Sequence, residues 1–180
     1  VVRVMRLVYR LNEASDATSR REAAQKLGGL SHPLAIGELS RALWDADGPV
    51  RLAAAEALGE IGVAEASEPL AKALLDPQWG AKSSVAHALG IIGGDQSLKA
   101  LLTHLRTQDP ESFLTTIQSL ERIGDDVAIL PLLCLYHETQ DPETRSHIAD
   151  ALRSLTATDT VEEVFLMLHG RRPPDHLSIK

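Results

Sequence analysis

The stretch DADGPVRLAAAEALGEIG, residues Asp45 to Gly62, carries the signals for starting, packing and ending one helix. Asp47 can accept backbone N–H bonds at a helix N-terminus. Ala54, Ala55, Leu58 and Ile61 follow at the three- and four-residue spacing of a single helical face. Gly62 is the residue type that adopts the left-handed conformation in which many helices stop. Outward from this stretch the same text recurs. KLGGLS, ALGEIG, ALGIIG, SLERIG and ALRSLT place Leu27, Leu58, Leu89, Leu120 and Leu152 in one column, 31, 31, 31 and 32 residues apart. A fixed period of this length marks a repeat architecture.

The column eleven residues before these leucines reads Asp16, Asp47, Gln78, Asp109 and Asp141, each suited or nearly suited to cap a first helix. Pro110 and Pro142 stand next, where a missing N–H costs nothing. The column four after the cap holds Arg20, Arg51, Lys82, Phe113 and Arg145. A second apolar stripe follows each first helix, with Leu39, Leu70, Leu101, Leu132 and Val164 four residues before Leu43, Leu74, Leu105, Tyr136 and Leu168. Each repeat is therefore a helical hairpin with two stripes to bury, which only stacking against neighbours achieves, and small Ala residues let the helices approach closely. The expected fold is all-α: a right-handed α-solenoid of about five hairpins behind an N-terminal helix whose stripe is Val4, Leu7, Val8 and Leu11. We expect one domain over 1–170, with repeats at about 16–46, 47–77, 78–108, 109–140 and 141–170, and a flexible C-terminal tail over 171–180. The opening at Val1 rather than Met suggests a piece of a longer protein.

Composition narrows the function. Aromatic residues make up 3% of the 180-residue chain, so packing relies on small and straight apolar side chains. Lys and Arg total 18 against 25 Asp and Glu, a net charge of -7 that opposes nucleic-acid binding by the surface as a whole. One cysteine, Cys134, rules out an internal disulfide framework and a multi-thiolate zinc site, and points to a reducing, cytoplasmic setting. The apolar run from Val127 to Tyr136 is far shorter than the roughly 20 residues a membrane span needs.

The text around Asp45–Gly62 resembles the HEAT-like repeat first associated with phycobilisome lyases, a branch of the HEAT and armadillo superhelices. The resemblance runs from about Asp16 to Gly170, strongest in repeats two and three. It departs at Glu121, which replaces the motif's first Gly, and at Arg153 and Thr156, which replace both glycines in repeat five. It implies ladders between the Asp and Arg columns of adjacent repeats, here Asp16 and Arg20 with Asp47 and Arg51. Functionally it implies an interaction scaffold or a regulatory appendage, less often bilin attachment, and least often metal chemistry. Related hydroxylases acting on deoxyhypusine repeat His-Glu pairs to hold iron, and only His137-Glu138 stands here. Related DNA-alkylation-repeat glycosylases use a basic concave surface. Here Lys72, Lys99, His104 and Arg106 are interleaved with Glu38, Glu68, Glu138, Glu162 and Glu163. Neither reading finds its residue set, and the one thiol, Cys134, reads as a buried core residue.

The feature beyond a plain repeat is excess apolar content. Trp79 is expected in a first turn and Phe113 replaces the Arg column, both placed to be exposed. The second helix of repeat four, from Ile129 to Tyr136, is apolar around most of its circumference and so needs cover on more than one side. Trp and Tyr are enriched at binding hot spots. The candidate protein-binding face is Trp79, Phe113, Leu133, Tyr136 and His137, rimmed by Lys72 and Arg106, while Trp44 and Trp79 are alternatively gap fillers between repeats. The expected function is a non-catalytic protein-protein scaffold or regulatory domain taking a protein or peptide partner, without a cofactor or metal. The alternatives are a phycobilin lyase subunit or phycobiliprotein-handling factor, and a nucleic-acid-binding repeat protein.

Overall fold

The computed structural model describes residues 1–157 and 160–168. Among them are eleven α-helices: α1 (Val2–Glu13), α2 (Ala17–Gly28), α3 (Ile36–Ala42), α4 (Gly48–Ile61), α5 (Ser67–Leu75), α6 (Lys82–Ile92), α7 (Gly94–Leu105), α8 (Phe113–Ile123), α9 (Ile129–Glu138), α10 (Pro142–Thr156) and α11 (Val161–Leu168). Single 3-10 turns lead into α3, α5 and α9. The chain divides into two compact units, 1–123 and 124–180. The tail over 171–180 lies outside the described residues.

In the first unit the first helices of the hairpins stack in order, α1 on α2, α2 on α4, α4 on α6 and α6 on α8. The seam between them is closed by the expected columns: Ala23, Ala24, Ala54, Ala55, Val85 and Ala86 are buried, with Leu27, Leu58, Leu89 and Leu120 behind them. The tightest contacts use glycine. A Cβ on Gly28 would stand 2.8 Å from the Ala57 Cα, one on Gly59 3.0 Å from the Ala88 Cα, and one on Gly90 2.9 Å from the Ser119 Cα. These three glycines are 31 residues apart, so one backbone-to-side-chain contact is repeated along the stack. Second helices α5 and α7 also pack side by side, through Leu70, Leu74 and Leu101. Helix α1 lays Val4, Leu7 and Leu11 on the first hairpin and leaves Arg3, Arg6 and Arg10 in solvent. In the second unit α10 packs on α9 and α11, burying Leu132, Ile148, Leu152 and Val164.

The caps agree with the repeat in three places. Asp16 accepts from the Ser19 N–H, Asp47 from Val50 and Asp141 from Thr144. Gly62 ends α4 at φ 69°, in the left-handed region. Gln78 does not cap. The chain runs on past it, and α6 begins after Ala81, itself left-handed at φ 57°. Trp79 therefore lies ahead of α6 and not in its first turn. Asp109 likewise accepts the Ser112 hydroxyl instead of a backbone amide. Helix α8 opens at Phe113, three residues after Pro110.

The glycine column generates a paired test. Gly59→Ala puts a methyl group against the Ala88 backbone and is expected to destabilise by roughly 1 to 3 kcal/mol, the usual range for overpacking. Gly29→Ala, where nothing stands within 4 Å and φ is -63°, is expected to be neutral or slightly stabilising. Thermal melts of the two variants check this, and equal effects would show that the seam is looser than described.

Candidate partner-binding face

The residues expected to form one partner surface separate into buried and exposed sets. Trp79 is a correction: it is 5% exposed, and its indole Nε1–H donates to the Leu43 carbonyl at 2.8 Å. A large ring with its polar atom paired inside the protein is a wedge between repeats and offers a partner nothing. Leu133 is a second correction, buried at 4%. Phe113 is half-buried at the start of α8. Tyr136 is half-buried, with the Arg145 guanidinium 4.5 Å above its ring and the His137 ring set edge-on at 5.6 Å. His137, Lys72 and Arg106 are exposed as expected. Lys72 and Arg106 belong to the first unit and Leu133, Tyr136 and His137 to α9 of the second.

Cys134 also departs from expectation, because it is exposed. Val127 and Leu130 lie on the same outward stripe at 61% and 60% exposure, while Leu132, Leu133 and Leu135 face inward. An all-apolar helix has no polar face to set its rotation, so the sequence left open which stripe faces out.

In the first unit the exposed large apolar groups at the ends of the second helices are Trp44, half exposed at the end of α3, and Leu75 at the end of α5, with Leu34 exposed in the turn that leads into α3. Trp44 and Leu75 each directly follow a fully buried leucine, Leu43 or Leu74, that anchors the helix end. The period of 31 puts Arg106 at the equivalent place at the end of α7. Trp44, Leu75 and Arg106 were legible as a column one residue past the buried leucines, a signal hidden because Trp44 read as a gap filler. Nearby cations differ in availability. Arg41 pairs with Glu38 and Lys72 with Glu68 at 2.8 Å. The Arg106 and Lys99 side chains make no hydrogen bond or ion pair among the described residues. The Lys72 contact draws the Glu68 carboxyl below its ordinary value.

The first-helix side carries two open grooves. One, of about 520 Å³, is lined by Arg21, Gln25, Arg51 and Glu56 over Gly48 and Ala81. The other, of about 420 Å³, lies along Glu56, Glu60, Ser83 and His87. Glu56 and His87 share it without a hydrogen bond between them. An Arg-Asp contact joins the first two hairpins, although not through the expected cap residues. Arg20 grips Asp45 with Nε and Nη2, both at 2.8 Å, and donates Nη1 to the Ala14 and Ser15 carbonyls. Arg51 repeats the second half of this pattern, donating to the Asp45 and Ala46 carbonyls. Asp45 replaces Asp47 as the rung because Asp47 is occupied in capping α4. The Arg20 hydrogen bonds hold the Asp45 carboxyl below the usual range.

One polar cluster lies inside. His104 is 2% exposed and its Nε2 is 2.7 Å from the Ser112 Oγ, which is bonded to Asp109. Asp109 as a carboxylate only accepts, so the Ser112 proton goes to it and the His104 Nε2–H donates to Ser112. The order is the reverse of a nucleophile handing its proton to a base, and Ser112 is 0% exposed. The His104 Nδ1 is left buried without a partner. Burial, and then the Lys82 charge, push the His104 pKa down. No group of three or more His, Cys, Asp or Glu able to hold a metal occurs among the described residues, so His137 and Glu138 gather no further ligands. No helix there is long and apolar enough to cross a membrane.

Stacked helical hairpins with a repeated close seam and an open second-helix edge define an all-α repeat protein of the solenoid class. The family model for HEAT repeats matches residues 4–90, 45–121 and 68–153, and the chain belongs to that family. No curated protein sequence matches it. Among solved structures, a chain in the complex of CpcE and CpcF of phycocyanin lyase from Nostoc sp. PCC7120 is similar, with 25% identity and a TM-score of 0.72. That match covers 94% of this chain and 71% of the other. An engineered protein matches in fold at 23% identity and a TM-score of 0.63, over 93% of this chain and 85% of its own.

The His104 cluster sets a pH dependence. Its folded pKa is depressed, so as pH falls below the unfolded value near 6.5 the unfolded chain takes up a proton that the folded chain resists. The stability this group contributes is present above pH 6.5 and declines as pH falls below it. His104→Gln, which keeps a donor toward Ser112 but does not titrate, is expected to flatten melting temperature against pH across that window. Carboxylates act only lower, because Asp16, Asp45 and Asp141 are all shifted down. An unchanged slope in the variant would assign the acid sensitivity elsewhere.

Proposed function

We propose that the chain is a non-catalytic, cytoplasmic scaffold that holds a protein partner on the second-helix edge of its first unit. The observation that carries this reading is that edge itself: Trp44 and Leu75 half exposed at the ends of α3 and α5, Lys72 one turn before Leu75, and Arg106 at the end of α7 with its side chain unpaired among the described residues. Exposed rings and arginines on a rigid backbone are the chemistry from which hot spots are built. The buried Leu43, Leu74 and Leu105 at the same helix ends mean that little ordering entropy is lost when a partner settles there. The similarity to a chain of the CpcE and CpcF complex supports a repeat protein that works with another protein.

That same similarity favours a second reading, a phycobilin lyase subunit or phycobiliprotein-handling factor. It rests on likeness over nearly the whole chain, and Tyr136, His137 and Glu138 are the groups on α9 that could meet a tetrapyrrole.

The test is reconstitution. A partner retained by the wild-type chain from its own organism is identified, purified and remixed, and the stoichiometry measured by light scattering. The scaffold reading expects a defined complex weakened at least about tenfold, or roughly 1.4 kcal/mol, by Lys72→Glu with Arg106→Glu, at unchanged melting temperature. A complex indifferent to these changes, or none at all, would overturn it. Phycocyanobilin added to the same mixtures separates the second reading: a shift in pigment absorbance supports it, and an unaltered spectrum removes it.

A further inference from the structure

Helix α1 carries three stripes, and only one of them faces the protein. Val4, Leu7 and Leu11 are buried on the first hairpin. Val2, Met5 and Tyr9 keep the same three- and four-residue spacing on the opposite side and are 74%, 60% and 70% exposed. Arg3, Arg6 and Arg10 each stand one residue later, so a row of guanidinium groups runs beside the outer apolar row. Both rows extend about 12 Å along the helix at its rise per residue. The attachment of α1 does not use them, since the inner stripe is buried and the Asn12 Nδ2 donates to Glu38 at 2.8 Å.

The three arginines are exposed, and their side chains make no hydrogen bond or ion pair among the described residues. Nearby carboxylates are engaged elsewhere: Asp16 caps α2, and Glu38 holds Asn12 and Arg41. Glu13 is the one acidic residue of α1. The charge of the whole chain is divided in the same sense. Residues 1–43 hold seven Lys and Arg against four Asp and Glu, a net +3, whereas residues 44–180 hold eleven against twenty-one, a net -10. Asymmetry of this kind marks contact with nucleic acid or membrane. Helix α1 stands at the end of the row α1, α2, α4, α6, α8. With α2 between them, α4 begins at least one helix spacing of about 8 to 10 Å behind it, a full screening length at physiological ionic strength.

The two outer rows together select the occupant. A second copy would set three arginines against three. A nucleic-acid backbone would meet the arginines and offer nothing apolar to Val2, Met5 and Tyr9. An anionic lipid surface supplies both contacts side by side, because its charged headgroups lie directly over the acyl boundary. Arginine stems extend along that boundary while their charges stay among the headgroups, and tyrosine favours the same depth. Twelve residues are too few to cross a bilayer, so the contact is peripheral.

We propose that the outer face of α1 docks the protein on an anionic lipid surface. Val2, Met5 and Tyr9 enter the headgroup boundary, and Arg3, Arg6 and Arg10 hold lipid phosphates and carboxylates. This face is separate from the scaffold edge, so each reading stands or falls by its own test.

The probes are vesicles of phosphatidylcholine alone and with about 30% phosphatidylserine, and binding is read by co-flotation at low and high salt. The phosphatidylserine vesicles are expected to bind the chain at least tenfold more tightly than the neutral ones, with the advantage falling as salt rises. Arg3→Glu with Arg6→Glu and Arg10→Glu should abolish that advantage. Lys99→Glu with Arg106→Glu and Arg122→Glu changes the net charge equally at exposed residues outside α1 and should keep it. Met5→Ser with Tyr9→Ser should weaken binding at least threefold at an unchanged melting temperature, since both side chains are exposed. In Met5→Trp the new indole should be quenched by brominated lipid, against the wild-type baseline set by Trp44 and Trp79. No binding up to about 1 mM lipid, equal binding to both vesicles, equal loss in the two triple variants, indifference to the serine pair or an unquenched Met5→Trp overturns the proposal. Binding to a DNA duplex or to polyglutamate through the same arginines, with the vesicles left unbound, also overturns it and makes that polyanion the occupant. Self-association abolished by Met5→Ser with Tyr9→Ser does so in favour of a second copy.

Discussion

The contact on which the first unit depends is the approach of each first helix to the next through a missing side chain. Gly28 meets Ala57, Gly59 meets Ala88 and Gly90 meets Ser119, each so closely that a Cβ would collide with backbone. Packing at this range leaves almost no freedom in spacing or rotation, because either would open a gap or create a clash. The rest of the hairpin inherits that register. Ala54 and Ala55 fill the flanks of the seam, Leu58 lies behind it, and the second helices fall into columns because the first helices do. The column runs out at Glu121, which occupies the next glycine position, and the first unit ends two residues later at Ile123.

The second-helix side is governed by a different device, the Trp79 wedge. Burying that ring and pairing its N–H with the Leu43 carbonyl requires the chain to run past the position where the repeat would start α6. Left-handed Ala81 and the absence of a side-chain cap on α6 are the local consequences. The wedge is tied to Leu43 at the end of α3, and the next residue, Trp44, stays half exposed. One tryptophan satisfies the gap and the other is left on the surface. The charged rung is set separately, in the turn before α4, where Asp47 is committed to capping and Arg20 takes Asp45.

What could be read from the sequence was whatever repeats. The leucine and alanine columns, the caps at Asp16, Asp47 and Asp141 and the left-handed Gly62 follow from period and residue chemistry, and they suffice for the helical hairpins and the family. What could not be read is whatever the repeat does not determine. Periodicity says that Trp79 follows a cap position, but not that its ring turns back onto the preceding repeat. It says that α9 is apolar, yet with Leu130, Leu132, Leu133, Cys134 and Leu135 together no polar face fixes which residues point outward, so Leu133 was expected outside and Cys134 inside. His104 was placed with the surface cations, because only the tertiary positions of Ser112 and Asp109 reveal a buried partner for it. Trp79 and Leu133 were expected at the surface for the same reason: exposure of a single side chain depends on one packing choice, while a core column averages over five.

Electrostatics limits the partner further. The chain carries a net charge of -7, so at a distance it repels polyanions, and screening confines any single charge to about 8 Å at physiological ionic strength. Attraction at the edge is therefore a contact effect. Along that edge Glu38 neutralises Arg41 and Glu68 neutralises Lys72, while the Arg106 and Lys99 side chains have no such pair among the described residues. A partner with a run of acidic residues would gain one good contact and meet repulsion from the rest of the surface. A partner with no acidic residue would leave Arg106 without a counterpart as water is excluded around it, at the cost of its desolvation. The surface thus favours a sparse charge pattern, one carboxylate beside apolar anchors. Such a pattern gives specificity by register, because a carboxylate displaced from Arg106 leaves that guanidinium desolvated without a counterpart.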